Sequence, residues 1–264
     1  MPTVEFATVL AGAIRFKEGN INETFRGQVL RADGSTVSAV LKDLETKELA
    51  NELISFVLAR TLALPVPDSL LAQVSAADLP TSKGPVTRDG RRLMLASVDV
   101  KVPNIAFRYT SDVTGQARLM GAITAWPPLG RLYGFDAWIA NVDRHPGNLL
   151  FSAGAEAWLI DHGWAFTGPN WSSAGLDPPA AYRHRLREWL TPILTDDGRE
   201  SRSRQAGAME ADLRMIDVDA AIVASRSDLL LSADDIQTLK TFLRARIGQV
   251  TRLARLALDA PVLM

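Results

Sequence analysis

The chain has 264 residues, of which 47% are hydrophobic and 22% charged, and its formal net charge is -1. This composition is typical of a globular protein and excludes a global electrostatic attraction to nucleic acid or to an anionic membrane. Cysteine is absent, which excludes disulfides and thiolate metal sites and fits a cytoplasmic location. No apolar run is long enough to span a membrane. The stretch from Phe6 to Ile14 follows Glu5 rather than a basic segment, so we expect a strand there and no signal peptide.

The first forty residues predict a small antiparallel sheet, because runs of β-branched and apolar residues alternate with turn residues. We expect its strands at Val4 to Phe16, Thr24 to Leu30 and Thr36 to Lys42. The tripeptide Ala32-Asp33-Gly34 predicts a hairpin between the second and third strands. Alternation along the third strand places Ala39 and Leu41 on one face and Lys42 at the end of the other face.

The pattern then changes to a helical period from Glu45 to Leu62. The residues expected on its buried stripe are Leu49, Leu53, Phe56 and Val57. Pro65 requires this helix to end by Leu64, because the residue before a proline is pushed to extended geometry. A further pair of strands is expected at Ser69 to Val74 and Arg91 to Val98.

All six Trp residues follow Met120, which indicates that the two parts of the chain build their cores differently. We therefore expect an α+β fold with two lobes. Residues 1–98 would form a small β-rich lobe with one helix, and residues 99–264 a larger, mainly helical lobe.

Four segments of the second part have readable patterns. The apolar stripe from Leu129 to Ile139 predicts a helix, and the run from Ala157 to Ile160 predicts a buried strand. The capping pattern that begins at Ser232 predicts a long final helix, whose buried face reaches Val250. The polar run from Asp196 to Gly207 is interpreted as a mobile surface loop.

The strongest functional signal is the pattern D-x-H-x-x-N at residues 143–148, followed by I-D-x-G at residues 160–163. Phosphoryl transfer needs a carboxylate that accepts the hydroxyl proton and oxygen ligands for Mg2+, and Asp143, Asn148 and Asp161 supply this set. Each residue alone is typical of a turn or a helix cap. Asp161, however, ends a buried apolar run, where a carboxylate is costly unless a cation compensates for it. The joint pattern therefore predicts an ATP-dependent kinase with a Mg2+ site.

Lys42 and Glu52 form a second constellation. A Lys at a strand end can contact the α- and β-phosphates of ATP while a Glu on the following helix holds it in place. Glu48, one helical turn away, competes with Glu52 for this role. A solvated Lys with a surface Glu is the alternative interpretation.

The loop from Gly19 to Phe25 is predicted to cover the phosphates, although it lacks the G-x-G-x-x-G pattern. Contacts would come from backbone N–H groups and from the side chains of Asn20, Asn22 or Thr24. An ordinary hairpin loop explains this segment equally well.

Two histidines and one arginine flank the predicted site. His145 and His162 lack a third ligand with suitable spacing, so zinc is not expected. We expect His145 to brace its loop through hydrogen bonds to the backbone or to Asp161. Arg144 is either a substrate contact or a solvated neighbour, and the solvated interpretation is slightly favoured.

With these residues placed, the chain resembles HipA-like kinases, a bacterial branch of the protein-kinase-like fold with motif similarity to phosphoinositide kinases. Residues 49–53 and 62–67 are similar to the N-E helix and the L-x-L-P-V-P exit of that family, so the resemblance covers roughly residues 4–166. The roles that it implies are Asp143 as catalytic base, Asn148 and Asp161 as Mg2+ ligands, Lys42 as the phosphate lysine and Glu52 as its partner. Residues 1–98 would bind ATP, and the hinge from Ser97 to Lys101, including Asp99, would meet the adenine through its backbone.

The resemblance has two departures. The chain is shorter than the HipA toxins, so neither an antitoxin partner nor a toxin role is carried over. The phosphate loop also differs from the Ser-containing loop by which those toxins inactivate themselves, and Thr24 is the nearest candidate for such a modification here.

Three functions remain open from the sequence. The leading one is a Ser/Thr kinase with an unidentified protein substrate, and the second is a kinase for a small-molecule or lipid hydroxyl. The third is a catalytically weak, nucleotide-binding interaction module. A nucleic-acid partner and membrane insertion are not expected.

Overall fold

The computed structural model describes residues 1–16, 23–102, 113–151 and 157–260, and its fold is α+β, as the sequence predicts. Most of the strands form one sheet near the N-terminus. They are β1 (Glu5–Val9), β2 (Ile14–Arg15), β3 (Thr24–Arg31), β4 (Thr36–Lys42), β5 (Ser69–Val74) and β6 (Arg92–Val98). Their order is β1-β5-β6-β4-β3-β2, and an additional pairing between β1 and β3 closes five strands into a ring. The sheet is therefore a small barrel, with β2 attached to β3.

The prediction of a purely antiparallel sheet is wrong at one pairing. β1 and β5 run parallel, with Phe6 opposite Leu71, whereas the other pairs are antiparallel. Parallel neighbours need a long crossover connection, and the alternation within each strand carries no information about it.

The predicted first strand, Val4 to Phe16, is two strands. The chain bends at Gly12, whose φ of 93° lies in the left-handed region that glycine adopts without steric cost. Both pieces pair with β3, with Val9 opposite Val29 and Ile14 opposite Arg26. The bend thus lets one segment of chain follow β3 around a corner of the barrel.

The interior of the barrel is apolar. Ala39 and Leu41 of β4 are fully buried there, as the alternation predicts, while Lys42 belongs to the opposite face. The residues that form this cluster are Ala7, Val9, Phe25, Val29, Ala39, Leu41, Leu70, Ala72, Val74, Leu79, Met94 and Ala96.

Helix α1 (Thr46–Thr61) follows β4 and contacts β5 and β6. Its predicted stripe is buried, and so are the polar residues Asn51 and Glu52. The chain turns away from the helix at Ala63, which has a φ of 55° and precedes the two prolines that prevent continuation. Burial on nearly all sides makes α1 a core element between the barrel and the rest of the molecule.

The remaining described elements are mainly helical. They are α2 (Val113–Ala125), α3 (Leu129–Trp138), the strands β7 (Leu149–Phe151) and β8 (Ala157–Leu159), α4 (Arg185–Leu190), α5 (Asp196–Arg214), α6 (Val218–Ala224), α7 (Ala233–Arg246) and α8 (Val250–Leu258). One large apolar cluster joins α1 with these helices, and it is separate from the barrel interior. None of the helices in the described ranges combines the length and apolarity needed to cross a membrane.

The prediction of a mobile loop at Asp196 to Gly207 is wrong, because this segment is the first part of α5. Thr195 caps the helix by accepting a hydrogen bond from the N–H of Gly198 at 3.1 Å, and acidic residues occupy the first turn, where the helix dipole favours them. The large apolar residues that anchor the helix, Met209 and Leu213, come later than the polar run, in which the buried apolar residue is the small Ala206. A window confined to that run therefore suggests a loop.

The final helix begins as predicted and ends earlier. Ser232 accepts a hydrogen bond from the N–H of Asp235 at 3.1 Å, which confirms the predicted cap. The α-helix stops at Arg246, continues as a 3-10 turn over Ile247–Gln249, and resumes as α8.

The cap of α5 yields a stability prediction. Replacing Thr195 with Ala removes the acceptor for the Gly198 N–H, and we expect the free energy of unfolding to fall by about 1 kcal/mol. Urea denaturation followed by circular dichroism measures this difference. Thr195→Ser, which retains the hydroxyl, should stay close to wild type. Equal stability of the Ala and Ser variants would show that the cap contributes nothing.

Candidate active site

Lys42, Glu52 and Asp161 lie together where the barrel meets the helical part. Lys42 ends β4, and its Nζ lies 3.6 Å from Oε1 of Glu52 on α1. The same ammonium forms an ion pair with the Asp161 carboxylate. The structure therefore places one cation between two carboxylates from distant parts of the sequence.

Glu52 also fixes the backbone that follows Asp161. Its Oε2 accepts a hydrogen bond from the N–H of His162 at 2.9 Å. Asp161 has a φ of 57°, so the chain turns sharply where the β8 segment ends. Glu48 packs against Gly163, two residues after Asp161. A side chain at this glycine would not fit, because its Cβ would lie only 2.8 Å from Cγ of Glu48. Both glutamates of α1 thus contact the turn that carries Asp161.

Asn51, adjacent to Glu52, holds the continuation of this turn. Its Nδ2 donates to the carbonyl oxygens of Gly163 at 2.9 Å and Ala165 at 3.1 Å, and lies 3.3 Å from that of Gly168. Its Oδ1 accepts from Nε1 of Trp171 at 3.0 Å. The residue is fully buried, so these contacts fix residues 163–171 against α1.

The loop 141–148, which we call the catalytic loop, follows α3. Oδ1 of Asn141 accepts the N–H of Asp143 at 3.1 Å, and Nδ2 of Asn148 donates to the carbonyl oxygen of Asp143 at 3.1 Å. Nδ1 of His145 accepts the N–H of Gly147 at 3.0 Å. His145 therefore braces the loop through the backbone, in agreement with one of the two expected modes.

Arg144 is the buried centre of this loop, and the interpretation of Arg144 as a solvated neighbour is wrong. Its side chain is 0% exposed. Nε lies 3.0 Å from Oδ2 of Asp136, and Nη1 donates to the carbonyl oxygens of Asn148 at 3.2 Å and Ile160 at 2.7 Å. The guanidinium thereby joins α3, the catalytic loop and the segment that leads to Asp161. Sequence reasoning missed Asp136, although a carboxylate on the apolar helix α3 indicates a buried partner.

Two strands complete the junction between Asn148 and Asp161. β7 and β8 are antiparallel with Leu149 opposite Leu159, and the N–H of Ile160 donates to the carbonyl oxygen of Asn148 at 3.1 Å. These pairings bring the two predicted metal ligands onto adjoining segments.

The carboxylate of Asp143 has two positively chargeable neighbours. It forms an ion pair with Arg185, the first residue of α4, and Oδ2 lies 4.0 Å from Nε2 of His145. Burial lowers the pKa of His145, against an opposing contribution from Asp143. Arg185 was not identified from the sequence, because it lies 42 positions from Asp143 and belongs to no motif.

The predicted phosphate-loop residues are only partly described. Asn20 and Asn22 lie outside the described residues. Thr24 begins β3 opposite Lys42 in the sheet register and is 8% exposed. This burial restricts access to its hydroxyl, so a phosphate at Thr24 would require the residues that cover this outer face of β3 to move.

The predicted adenine hinge begins inside β6. Ser97 pairs with Val40 on one side and Ser69 on the other. The N–H of Asp99 donates to the carbonyl oxygen of Ser38, and its carboxylate lies 3.6 Å from Arg26. An adenine would therefore have to use other backbone groups of this segment.

A buried aromatic pair joins α3 to the residue that precedes α4. His184 stacks on Tyr133 with ring centroids 4.5 Å apart and an interplanar angle of 2°. The histidine is 7% exposed, and neither ring nitrogen has a hydrogen-bond partner among the described residues. Burial lowers its pKa from 6.5 to about 4, so the ring is neutral near pH 7.

Most of the chain matches one known protein family. A family model described as HipA-like kinase matches residues 31–213, which is more than half of the chain. The chain belongs to the HipA-like kinase family. The match to HipA-like kinases includes Lys42, Glu52, the catalytic loop, Asp161 and Arg185, and it supports a kinase-type phosphotransferase. A search of curated proteins found no match.

The contacts of Asn51 yield a second stability prediction. Asn51→Ala leaves the indole N–H of Trp171 and the backbone carbonyls without their buried partner, and we expect a loss of roughly 2 to 3 kcal/mol in the free energy of unfolding. Denaturant titration measures it. Asn170→Ala, at an exposed position of the same segment, is the matched control and should change stability little. A similar small effect at both positions would contradict the proposed importance of the Asn51 contacts.

The neutral His184 predicts a pH dependence. Because its pKa is depressed in the folded state, the unfolded chain binds more protons between pH 4 and 6.5, so stability falls as the pH falls through this window. We expect a contribution of roughly 1 to 2 kcal/mol to the loss between pH 7 and pH 5. Denaturation at both pH values should show a smaller loss in His184→Phe than in wild type.

Tyr133→Phe is the control for this experiment, because it keeps the ring stack and the titrating imidazole. The pKa of Tyr133 is raised by burial, far above this window, so its removal should leave the pH dependence unchanged. If His184→Phe retains the wild-type dependence, His184 is not the group responsible.

Proposed function

We propose that this HipA-like kinase is an ATP- and Mg2+-dependent phosphotransferase that acts on Ser or Thr hydroxyls of a protein in the cytoplasm. The observation that carries the proposal is the convergence of Lys42, Glu52 and Asp161 beside a rigid loop that presents Asp143 and Asn148. Phosphoryl transfer depends mainly on positioning and charge, and this arrangement provides both.

The side chains of Asn148 and Asp161 fit a magnesium site. Because Nδ2 of Asn148 already donates to the backbone of Asp143, the amide orientation leaves Oδ1 as the atom available to a cation. Within the described ranges no group of three or more His, Cys, Asp or Glu side chains could hold a metal ion. The proposal does not require such a group, because Mg2+ commonly takes one or two protein carboxylates and completes its shell with substrate phosphates and water. When bound, Mg2+ would neutralise charge on those phosphates.

Lys42 is assigned to the phosphates of ATP. The contact with Glu52 restricts the position of the Lys42 ammonium. The ion pair with Asp161 keeps this ammonium beside the proposed metal ligand. Entry of a nucleotide would exchange the Asp161 contact for phosphate oxygens, while Glu52 continues to orient the lysine.

Asp143 is assigned as the base. In the proposed reaction the acceptor oxygen forms a bond to the γ-phosphorus, the bond from that phosphorus to the β,γ-bridging oxygen breaks, and ADP leaves with the bond's electron pair. The acceptor's proton passes to the Asp143 carboxylate. The hydrogen bonds that the Asp143 backbone makes with Asn141 and Asn148 fix it on both sides, so the change required of the carboxylate is its release from Arg185.

The two-lobed arrangement is also part of this proposal, with residues 1–98 as the nucleotide-binding lobe and residues 99–264 as the catalytic lobe. The separate apolar interior of the barrel supports it. ATP would then lie between Lys42 on the barrel side and Asp161 on the other side, with its adenine near the segment 97–101.

A nucleotide-binding module without turnover is the second candidate, and one observation favours it. Both proposed catalytic carboxylates are engaged by cations of the protein itself, Asp143 by Arg185 and Asp161 by Lys42. Both ion pairs would have to open before the reaction. Thermal-shift measurements with ATP and Mg2+ beside a hydrolysis assay separate the candidates, since binding without turnover supports the module.

The decisive test of the kinase proposal is transfer from labelled ATP to the chain itself or to mixed protein acceptors. Asp143→Ala removes the proposed base, and we expect a loss of about 100-fold or more in the transfer rate. Asp161→Asn should in addition abolish the Mg2+-dependent part of the ATP thermal shift. Asp212→Asn, at an exposed aspartate of α5, is the control and should behave as wild type. Undiminished transfer by Asp143→Ala would falsify the assignment.

A further inference from the structure

The segment that carries Arg185 is strongly basic. Residues 181–188 contain three arginines, Arg183, Arg185 and Arg187, and one acidic residue, Glu188. Arg185 makes direct contact with the Asp143 carboxylate. The charged groups that act on the neighbouring His145 are Asp143, Arg185 and Arg144. Asp143 is the single carboxylate in that set.

Arg185 retains hydrogen-bonding capacity beyond its contact with Asp143. A guanidinium has five N–H donors, and the contact uses Nη1. The Nε atom is buried and has no hydrogen-bond partner among the described residues. Because Nε is buried while the side chain as a whole is 29% exposed, the guanidinium would have to turn toward solvent to bind a second carboxylate or phosphate in bidentate geometry.

Arg183 adds to the same positive field. Its guanidinium is 62% exposed and forms an ion pair with Glu188 at 2.7 Å, and it is also close enough to Asp143 to interact with it electrostatically. The other nearby carboxylates are already paired, Asp136 with Arg144 and Asp161 with Lys42. Each arginine of the segment also has a carboxylate partner, Arg187 with Asp259 at 3.5 Å, so an acidic group of an acceptor would exchange for one of these partners.

We propose that the acceptor is a Ser- or Thr-containing polypeptide segment with acidic residues beside the hydroxyl. This inference rests on the proposed kinase function and specifies its substrate class. A carboxylate of the acceptor binds Arg185, which releases an oxygen of Asp143 to receive the hydroxyl proton. Binding of the correct acceptor thus frees the base, and an acceptor without an acidic group leaves Asp143 paired with Arg185.

The same charges disfavour an amine-bearing acceptor. A cationic small molecule would have to approach Arg183 and Arg185 at close range, and like charges at such distances cost free energy. A kinase for an amine-bearing small molecule would instead require an acidic pocket around Asp143.

Three synthetic peptides test the proposal with the full chain, ATP and Mg2+. They share one central Ser, which is flanked by Glu, by Ala or by Lys, and phosphate incorporation is measured as kcat/KM. We expect the Glu peptide to exceed the Ala peptide by about tenfold and the Lys peptide to be the poorest. Arg185→Gln should abolish the preference for Glu over Ala, and Arg185→Lys should retain part of it.

The control is Arg214→Gln. The side chains of Arg214 and Arg183 are both 62% exposed. Each pairs with a glutamate nearby in the sequence, Arg214 with Glu210 and Arg183 with Glu188. This variant should keep the wild-type preference, whereas Arg183→Gln should weaken it. Because Arg183 is exposed, its variant gives a usable result even if the Arg185 variants fold poorly.

The outcomes distinguish the substrate class from the kinase function. Suppose that ATP is hydrolysed without peptide, that this hydrolysis requires Asp161, and that the Ala or Lys peptide is used as well as the Glu peptide or better. This result overturns the acidic acceptor and leaves the kinase function in place. ATP hydrolysis without phosphate transfer to any peptide also overturns the acidic acceptor. Phosphate transfer only to phosphatidylinositol in phosphatidylcholine vesicles shows that the acceptor is a lipid instead. Absence of all ATP turnover removes the kinase function and this inference with it.

Discussion

The buried charge of Arg144 is the constraint on which the site depends. A guanidinium that is withdrawn from water must be compensated in full, and here Asp136 supplies the charge while the carbonyl oxygens of Asn148 and Ile160 supply acceptors. These partners come from a helix, from the catalytic loop and from the approach to Asp161. Satisfying one cation therefore fixes three segments at once, and the side chains at their ends become neighbours as a result.

Helix α1 performs the corresponding function on the barrel side. Its adjacent residues Asn51 and Glu52 point into the same junction, one to the backbone of residues 163–168 and the other to Lys42 and His162. Because the helix is buried on nearly all sides, it cannot shift without disturbing the large apolar cluster and its contacts with β5 and β6. The position of Lys42 relative to Asp161 is thus set by packing as well as by charge, which gives the site the rigidity that phosphoryl transfer requires.

The sequence predicted the features that depend on local periodicity. β4 and β5 have the predicted bounds, and α1 differs from its prediction by one residue at each end, because alternation and the helical stripe are properties of short windows. The parallel pairing of β1 with β5, the burial of Arg144 and the contact of Arg185 with Asp143 depend on residues far apart in the chain. Two predictions at polar positions were wrong, because Ile160, a partner of Arg144, lies 16 positions away and the large apolar anchors of α5 follow its polar run. The roles of Asp143, Asn148 and Asp161 stay predictions.

Closure of the barrel affects how this molecule meets other chains. An open sheet presents unpaired N–H and C=O groups at its two outer strands, and these recruit extended peptides or promote aggregation. The pairing of β1 with β3 closes the sheet, and the outer strand that remains, β2, has two residues. A visiting polypeptide therefore gains little by adding a strand to the barrel, and its recognition must come from side chains and loops.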